Sequence, residues 1–179
     1  MSNKVVKILV DADVLIHFVK GGRPGMLPQL FPKRLVLLNR VHEELNRQND
    51  VGNVVANYIA FKAIEVVDFP TKDLNVIREY AQLIKTKGKG ESACLAFCRH
   101  HPHIIASSNL RDINEYCTQH QLAYLTTMDI LCIALIRGEM SESECDEFIA
   151  NVRKAGSKLP HLTITQYRNQ HFDHLKSHY

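Results

Sequence analysis

Acidic side chains recur along this chain where apolar segments give way to polar ones, and together they could bind a metal ion. The residues concerned are Asp11, Asp13, Glu43, Glu44, Glu91, Asp112 and Asp129, with the amide Asn109 among them. Carboxylate and amide oxygens are the ligands that hard divalent cations such as Mg²⁺ and Mn²⁺ prefer. Each acid alone is more often a helix cap or a solvated surface group. The inference therefore depends on their recurrence.

The elements that would position these acids alternate between strand and helix. Residues 5–10 form an apolar run with one charge, which is typical of a strand buried on both faces. Further strands are predicted at 35–38, 65–69, 103–107 and 122–125, and helices at 13–20, from 39, and at 54–63, 73–85, 91–99, 109–120, 129–137 and 142–154. Glycines and prolines between 21 and 32 predict a flexible loop. The fold class is α/β, with three α/β/α layers and an open, mostly parallel sheet of about five strands.

Ligands of such a sheet bind beyond the carboxyl ends of its strands, so the acids are interpreted by their distance from those ends. Asp11 directly follows the first strand and should project from its end, whereas Asp13 is predicted to be the N-cap of the next helix. Val41 and Leu45 point into the core, which leaves one of the intervening glutamates to face the sheet. Glu91 follows Gly90 at a predicted helix start. Asn109 and Asp112 follow the fourth strand, and Asp129 follows the fifth.

Composition limits the class of protein. The chain has 179 residues and a net charge of +3, which fits one domain and is too mild to indicate nucleic-acid binding alone. No leader segment or apolar run of membrane-spanning length is visible, so we expect a soluble, cytoplasmic protein without membrane contact. Five cysteines argue against a disulfide framework. Cys94 and Cys98 lie near histidines in the sequence, which would allow a zinc site. The more common interpretation of such a pair is two small buried side chains on one helix face.

Five motifs in order carry a resemblance to a known family. They are VDADVLI, VHEEL, GKGESACLAF, IIASSNLRDI and LTTMDIL. Their order and spacing resemble the PIN domain, which occurs in toxin ribonucleases of toxin–antitoxin pairs and in RNA-processing nucleases. The resemblance runs from about residue 5 to 156, so we expect a PIN-like nuclease domain at 1–156 and a C-terminal, helical tail at 157–179.

The resemblance implies a catalytic, metal-binding set made of Asp11, Glu44, Glu91 and Asp112. Asn109 stands where many members have aspartate and would be a neutral ligand, while Asp129 would either join the cluster or cap the following helix. The implied activity is Mg²⁺- or Mn²⁺-dependent hydrolysis of RNA phosphodiester bonds. Ser107 or Ser108 could orient a ligand or simply satisfy the strand end.

The resemblance also implies partners. An acidic pocket repels RNA unless cations flank it, and the candidates for phosphate contact are Lys85, Lys87, Lys89 and Arg111, with Arg23, Lys33 and Arg34 on the rim. A solvated lysine loop is the alternative. A toxin would have a small antitoxin protein as its partner. Dimers are frequent among similar domains, so a homodimer is a second candidate assembly. Histidines of the tail, such as His171 and His174, are more typical of a surface or docking helix than of a metal site.

Two other functions remain open at this point. Asn109 and the longer Glu91 could mark a catalytically weakened PIN-like module that binds RNA or another protein. The Asp11-Ala12-Asp13 sequence also fits the first motif of a haloacid dehalogenase-type phosphatase, although that chemistry needs a later paired-acid motif and the chain has no Asp-Asp pair.

Overall fold

The computed structural model describes residues 6–176, except for the side chains of residues 49, 110–112 and 172–176. Five strands lie in this range: β1 (Ile8–Val10), β2 (Leu35–Leu38), β3 (Glu65–Val67), β4 (Ile104–Ala106) and β5 (Tyr124–Leu125). They form one sheet in the order β3-β2-β1-β4-β5, and every neighbouring pair is parallel. From β1 the chain adds β2 and β3 on one side of the sheet and then β4 and β5 on the other, so the strand order reverses between β1 and β4. That reversal marks where an open α/β sheet binds its ligands.

Ten helices connect and cover the strands within the described range. They are α1 (Ala12–Lys20), α2 (Met26–Leu30), α3 (Asn39–Leu45), α4 (Asn49–Ala60), α5 (Leu74–Leu83), α6 (Lys89–His100), α7 (Leu110–His120), α8 (Thr127–Ile136), α9 (Glu142–Lys154) and α10 (Ile164–Lys176). Every residue of β1 and β2 is buried. Because successive strand side chains point to opposite faces, helices must cover both faces of the sheet. The predicted α/β/α fold is confirmed.

The segment predicted as a flexible loop is structured, so that prediction was wrong. Residues 26–30 form α2, and its apolar side chains Met26, Leu27 and Leu30 are buried. Burial of these side chains stabilises a helix that the glycines and prolines around it disfavour. Four strands are also shorter than predicted within the described range, by two residues each for β3, β4 and β5 and by at least two for β1.

The chain after Gly156 packs on the same core. Leu159, Ile164 and Tyr167 are buried, and the backbone N–H of Ile164 donates a hydrogen bond to Asp146 Oδ1 on α9 at 2.7 Å. The expected helix is present as α10, which packs against α8 and α9. No helix among residues 6–176 is both long and apolar enough to cross a membrane.

The cysteines are free and buried in the apolar core. Cys94 and Cys98 lie on α6, whose residues from Gly90 to Cys98 are all buried. Burial raises the pKa of both thiols, which disfavours the thiolate that a zinc site needs. The interpretation of these two residues as small core side chains is therefore the one that fits.

Candidate active site

Asp11 lies at the junction of β1 and α1. It is the N-cap of α1, and its Oδ1 accepts a hydrogen bond from the Ala12 backbone N–H at 2.8 Å. Its Oδ2 accepts one from the Ser107 hydroxyl at 3.3 Å, which joins the end of β1 to the end of β4. Asp11 is only 7% exposed. The first strand therefore ends in a buried carboxylate held from two sides.

Asp13 has a different role from the one predicted. Because α1 begins one residue earlier than expected, Asp11 takes the cap position and Asp13 falls in the first turn. Asp13 Oδ2 accepts hydrogen bonds from the Ser108 backbone N–H at 2.8 Å and from the Ser107 hydroxyl at 3.5 Å. Asp13 Oδ1 is buried, and no hydrogen-bond partner for it lies among the described residues. Asp13 thus crosslinks the two central strand ends and directs one oxygen into the interior.

Glu44 meets Asp11 because Gly90 has no side chain. A Cβ atom on Gly90 would lie 3.0 Å from Glu44 Oε2 and 3.5 Å from Asp11 Oδ1. The first turn of α6 therefore passes between the end of α3 and the end of β1. Both carboxylates approach the same point: a Cβ atom at position 90 would press on Glu44 and would be in ordinary contact with Asp11.

Glu91 and Asn109 complete the same cluster. Glu91 is 8% exposed at the start of α6, and its Oε2 accepts a hydrogen bond from Asn109 Nδ2 at 3.3 Å. Asn109 is the N-cap residue of α7, directly after β4. Asp11, Glu44, Glu91 and the amide Asn109 thus come together from four separate segments of the chain.

A cleft of about 380 Å³ opens at this edge of the sheet. Its polar wall residues are Asp11, Asp13, His17, Glu44, Glu91, Ser108, Asn109 and Lys158. Lys158 supplies the positive charge at the border of an otherwise acidic cleft. It comes from the segment that the sequence assigned to the tail, which is why sequence reasoning did not place it here.

The acids of the cleft raise one another's proton affinity. Burial, followed by the charges of Asp13, Glu91 and Glu44, raises the pKa of Asp11 well above its ordinary value, although the Ala12 hydrogen bond opposes this. Burial likewise raises the pKa of Asp13 to about 6, against hydrogen bonds from Ser108 and its neighbours that lower it. Removing these carboxylates from water disfavours their ionised forms, and a nearby cation would restore them.

His17 is a wall residue that the sequence did not single out. It lies one helical turn after Asp13, and its Nδ1 is 2.9 Å from the Thr127 hydroxyl. The Ser108 hydroxyl also bonds to Thr127 and accepts a hydrogen bond from its backbone N–H at 2.9 Å. Burial, and secondarily Lys20, lowers the pKa of His17 to about 4. The ring is therefore neutral near pH 7, and the spacing of four from Asp13 was the one signal in the sequence.

Asp129 caps a helix and does not line the cleft. Its Oδ2 accepts hydrogen bonds from the backbone N–H and the hydroxyl of Thr126, both at 2.8 Å, in a capping box that starts α8. Its Oδ1 accepts a hydrogen bond from the Tyr167 hydroxyl at 2.8 Å. Of the two roles left open by the sequence, the cap is the one observed. Asp112 and Arg111 follow Asn109 on α7, but their side chains lie outside the described residues.

The basic residues divide into two groups. Lys85, Lys87 and Lys89 lie in the turn before α6 and at its start; Gly88 of that turn lines the cleft, whereas these lysines do not. The prediction that Arg23, Lys33 and Arg34 form the rim is wrong. Arg23 is paired with Glu144 at 2.8 Å. Lys33 and Arg34 precede β2 and therefore lie at the amino edge of the parallel sheet, opposite the cleft.

The donor set is compatible with a hard divalent cation. The described groups are carboxylate and amide oxygens, which suit Mg²⁺ or Mn²⁺, and Asp13 Oδ1 is a buried acceptor with no hydrogen-bond donor among the described residues. No three described His, Cys, Asp or Glu side chains are already close enough to hold an ion jointly. The side chain of Asp112, which the resemblance assigns to the set, lies outside the described residues. The chemistry of the described residues fits such an ion.

Comparison with known proteins supports the fold. No family model matches the sequence, and a search of the curated proteins found no match. Among solved structures, the crystal structure of DNA-bound VapBC from Salmonella typhimurium is similar, with 14% sequence identity and a TM-score of 0.51. The similarity covers 69% of this chain and 99% of the matched chain. The chain described here has a PIN-domain-like fold, as the sequence motifs predicted.

Proposed function

We propose that this protein is a metal-dependent ribonuclease that hydrolyses RNA phosphodiester bonds in the acidic cleft. The observation that carries the proposal is the approach of Asp11 and Glu44 to one point beside Gly90, at the place where the strand order reverses. Acids that raise one another's pKa are an unfavourable arrangement for stability alone and a common feature of functional sites. The PIN-like fold makes a nuclease the reaction class with the best support.

In this proposal Asp11, Glu44 and Glu91 hold Mg²⁺ or Mn²⁺, with Asp112 from α7 as a further ligand. A bound ion of this kind lowers the pKa of a coordinated water and stabilises the charge that develops on the phosphate. Asp11 is the central ligand because β1 and Ser107 fix its carboxylate. The Asn109 amide orients Glu91 through its hydrogen bond, and Lys158 offsets the repulsion between the cleft and an incoming phosphate.

Cleavage of a labelled, structured RNA tests this proposal. We expect the wild type to cleave with Mg²⁺ or Mn²⁺ and to lose activity in excess chelator, and Asp11→Asn to reduce cleavage about 100-fold or more. Asp73→Asn is the matched control, because Asp73 is also a helix N-cap but lies on α5. An aryl phosphate serves as a second substrate. Turnover of the aryl phosphate without RNA cleavage would favour the phosphatase.

Two observations favour a second function. The donor set is not preassembled among the described residues, and Asn109 supplies an amide where an acid is more common in the family. These features suit a catalytically weakened module that binds RNA without cutting it. RNA binding that is indifferent to the metal and to Asp11→Asn, with no cleavage, would support the module and overturn the enzyme.

We further propose that the nuclease is the toxin of a toxin–antitoxin pair, as the similarity to VapBC suggests. Induced expression of the wild type should arrest bacterial growth, and a small protein encoded beside it should relieve the arrest. Asp11→Asn should be harmless at the same expression level. Harmless expression of an active wild type would overturn the toxin role and leave the nuclease intact.

A further inference from the structure

The chain that follows α9 is anchored beside the acidic cleft. Gly156, at a φ of +80°, ends the helix in a conformation that favours glycine, and the Ser157 backbone N–H donates to the Val152 carbonyl at 3.1 Å. Lys20 Nζ on α1 donates to the Ser157 hydroxyl at 2.9 Å, and Leu159 is buried. Lys158 is thus an exposed residue between two fixed neighbours, so its position relative to the cleft is defined.

Four basic or imidazole side chains surround a second hollow next to this segment. The hollow measures about 780 Å³. We call its cationic wall the basic shelf, defined by Arg153, Lys154, Lys158 and His161. None of the described residues that line this hollow is acidic. The wall of this hollow is therefore basic, whereas the wall of the cleft is mainly acidic.

Lys158 joins the two surfaces. It lines the acidic cleft, the hollow of the basic shelf, and a third hollow of about 250 Å³ beside Pro160 and Tyr167. An anionic polymer that extends from the shelf into the cleft would therefore pass this lysine. The groups that attract phosphates and the carboxylates of the candidate active site thus lie on two adjoining surfaces, the shelf and the cleft.

We propose that the basic shelf binds the sugar–phosphate backbone of single-stranded RNA next to the bond that is cut, and that Lys158 is the positioning residue that leads the strand into the cleft. The identity of the substrate rests on the proposed function. Contacts from the shelf go to phosphates and carry no base preference. A single strand is favoured over a duplex because it can bend from the shelf into the cleft, whereas a duplex is stiff over this length.

Binding without cleavage provides the first test. A fluorescently labelled single-stranded RNA is titrated in chelator against protein carrying Asp11→Asn, and anisotropy is recorded at several salt concentrations. Each lost phosphate contact lowers the slope of log affinity against log salt by about 0.7, which weakens binding about fivefold at 0.1 M salt. We expect this loss for Lys158→Ala and twice the change in slope for the double variant Arg153→Ala/Lys154→Ala. Lys158→Arg should retain binding.

Lys72→Ala is the matched control, since Lys72 is exposed in the loop before α5 and away from both hollows. Its affinity and salt slope should equal those of the parent. In the active enzyme, the double variant should raise KM and leave kcat unchanged, while Lys158→Ala should also lower kcat. A merely structural role for Lys158 would instead lower the thermal stability without changing the salt slope.

The outcomes separate this proposal from the proposed function. If the protein does not cleave RNA but the shelf variants lose affinity as described, the nuclease fails and the shelf stands. If RNA is cleaved and the shelf variants behave like Lys72→Ala, the shelf is overturned and the nuclease stands. Equal losses of affinity for duplex DNA would overturn the assignment to a single strand.

Discussion

Asp11 combines a favourable structural role with an unfavourable electrostatic one. As N-cap it stabilises α1 by about 1 kcal/mol. As a buried acid next to Asp13, Glu91 and Glu44 it has a raised pKa, so its ionised form is destabilised in the folded protein. Local destabilisation of this kind is the usual consequence of placing like charges together for function. Removing the charge while keeping the cap separates the two effects.

Asp11→Asn should stabilise the metal-free protein at pH 8, because asparagine caps a helix as well as aspartate and carries no charge. The folded-state pKa of Asp11 lies above its unfolded value, so the stability of the wild type falls as pH rises through the folded pKa. We expect the free energy of unfolding of Asp11→Asn to exceed that of the wild type at pH 8, by a margin that shrinks towards pH 5. Urea unfolding followed by circular dichroism measures it.

Asp73→Asn is the control for this substitution and should change the free energy of unfolding equally at both pH values. Mn²⁺ should raise the melting temperature of the wild type and not that of Asp11→Asn, because binding to the folded state alone stabilises it. A variant that is less stable than the wild type at pH 8 would contradict the electrostatic argument. An equal shift of both proteins by Mn²⁺ would place the ion elsewhere.

His17 should make the protein sensitive to mild acid. Its pKa is about 4 in the fold, below the ordinary value of 6.5, so below pH 6.5 the unfolded chain takes up a proton that the folded chain refuses. The stability that the neutral His17 ring contributes to the fold is complete above pH 6.5 and is lost as pH falls towards 4. The advantage of the wild type over His17→Asn should therefore shrink by about 2 kcal/mol between pH 7 and pH 5. A constant difference in the free energy of unfolding would show that burial does not control this ring.

The sequence predicted which acids lie in the cleft better than it predicted the helix caps and the other residues that line it. Asp11 and Asn109 directly follow strand ends, Glu44 lies on the helix after β2, and Glu91 lies at the start of α6. The parallel sheet brings the strand ends to one edge, where all four residues line the cleft. The roles of Asp13 and Asp129 depended on the exact residue at which a helix begins, and one residue decides which acid is the cap. Lys158 reaches the cleft through tertiary packing, for which a single sequence carries no local signal, and His17 was marked only by its spacing of four from Asp13.

At the scale of elements, the start of α6 determines how closely α3 can approach β1. Gly88 and Gly90 both precede or begin this helix, but they differ in their surroundings. Nothing lies within 4 Å of a Cβ added at Gly88, whereas one added at Gly90 would press on Glu44 Oε2 and on Val41 Cγ2 at 3.3 Å. Gly90 is therefore a packing requirement of the site, and Gly88 is not.

Gly90→Ala should reduce activity without loss of stability. The added methyl meets the flexible end of Glu44, which can swing aside, and alanine is favoured over glycine in a helix by about 1 kcal/mol. We expect the free energy of unfolding to stay within about 1 kcal/mol of the wild type and Mn²⁺ affinity, measured by calorimetry, to fall about tenfold. Gly88→Ala is the matched control and should bind Mn²⁺ as the wild type does. Equal affinities for all three proteins would remove Glu44 from the ligand set.

Elements with a clear hydrophobic period were predicted well, and those stabilised by tertiary contacts were not. The bounds of β2 and the N-cap Asp73 of α5 agree with the sequence. The helix α2 was missed because its surroundings are rich in glycine and proline, although Leu27 and Leu30 have helical spacing. The three strands after β2 are short because pairing with a neighbour, and not residue type, limits a strand: β3 and β4 end early, and β4 and β5 begin late.

At the scale of the whole molecule, the last helix closes the core and positions the basic shelf. The Tyr167 hydroxyl bonds to Asp129 on α8, and the Ile164 backbone bonds to Asp146 on α9. The sequence showed apolar residues in this segment but could not show what they pack against, because the contacts join residues about 20 to 40 positions apart. The same limit applies to the strand order, which no local pattern encodes.

Ile164→Ala tests whether this closure stabilises the domain. Ile164 is fully buried, and removing a buried isoleucine side chain costs about 2 to 5 kcal/mol through lost transfer free energy and the cavity left behind. Ile136→Ala is the matched control, because Ile136 is 43% exposed on α8, and it should cost less than about 1 kcal/mol. Both values come from urea unfolding of the full chain. If α10 were an independent tail, the two variants would be equally stable. If α10 closes the core, Ile164→Ala unfolds at a lower urea concentration than Ile136→Ala and in a single transition. RNA affinity is then lost only at urea concentrations where the protein unfolds.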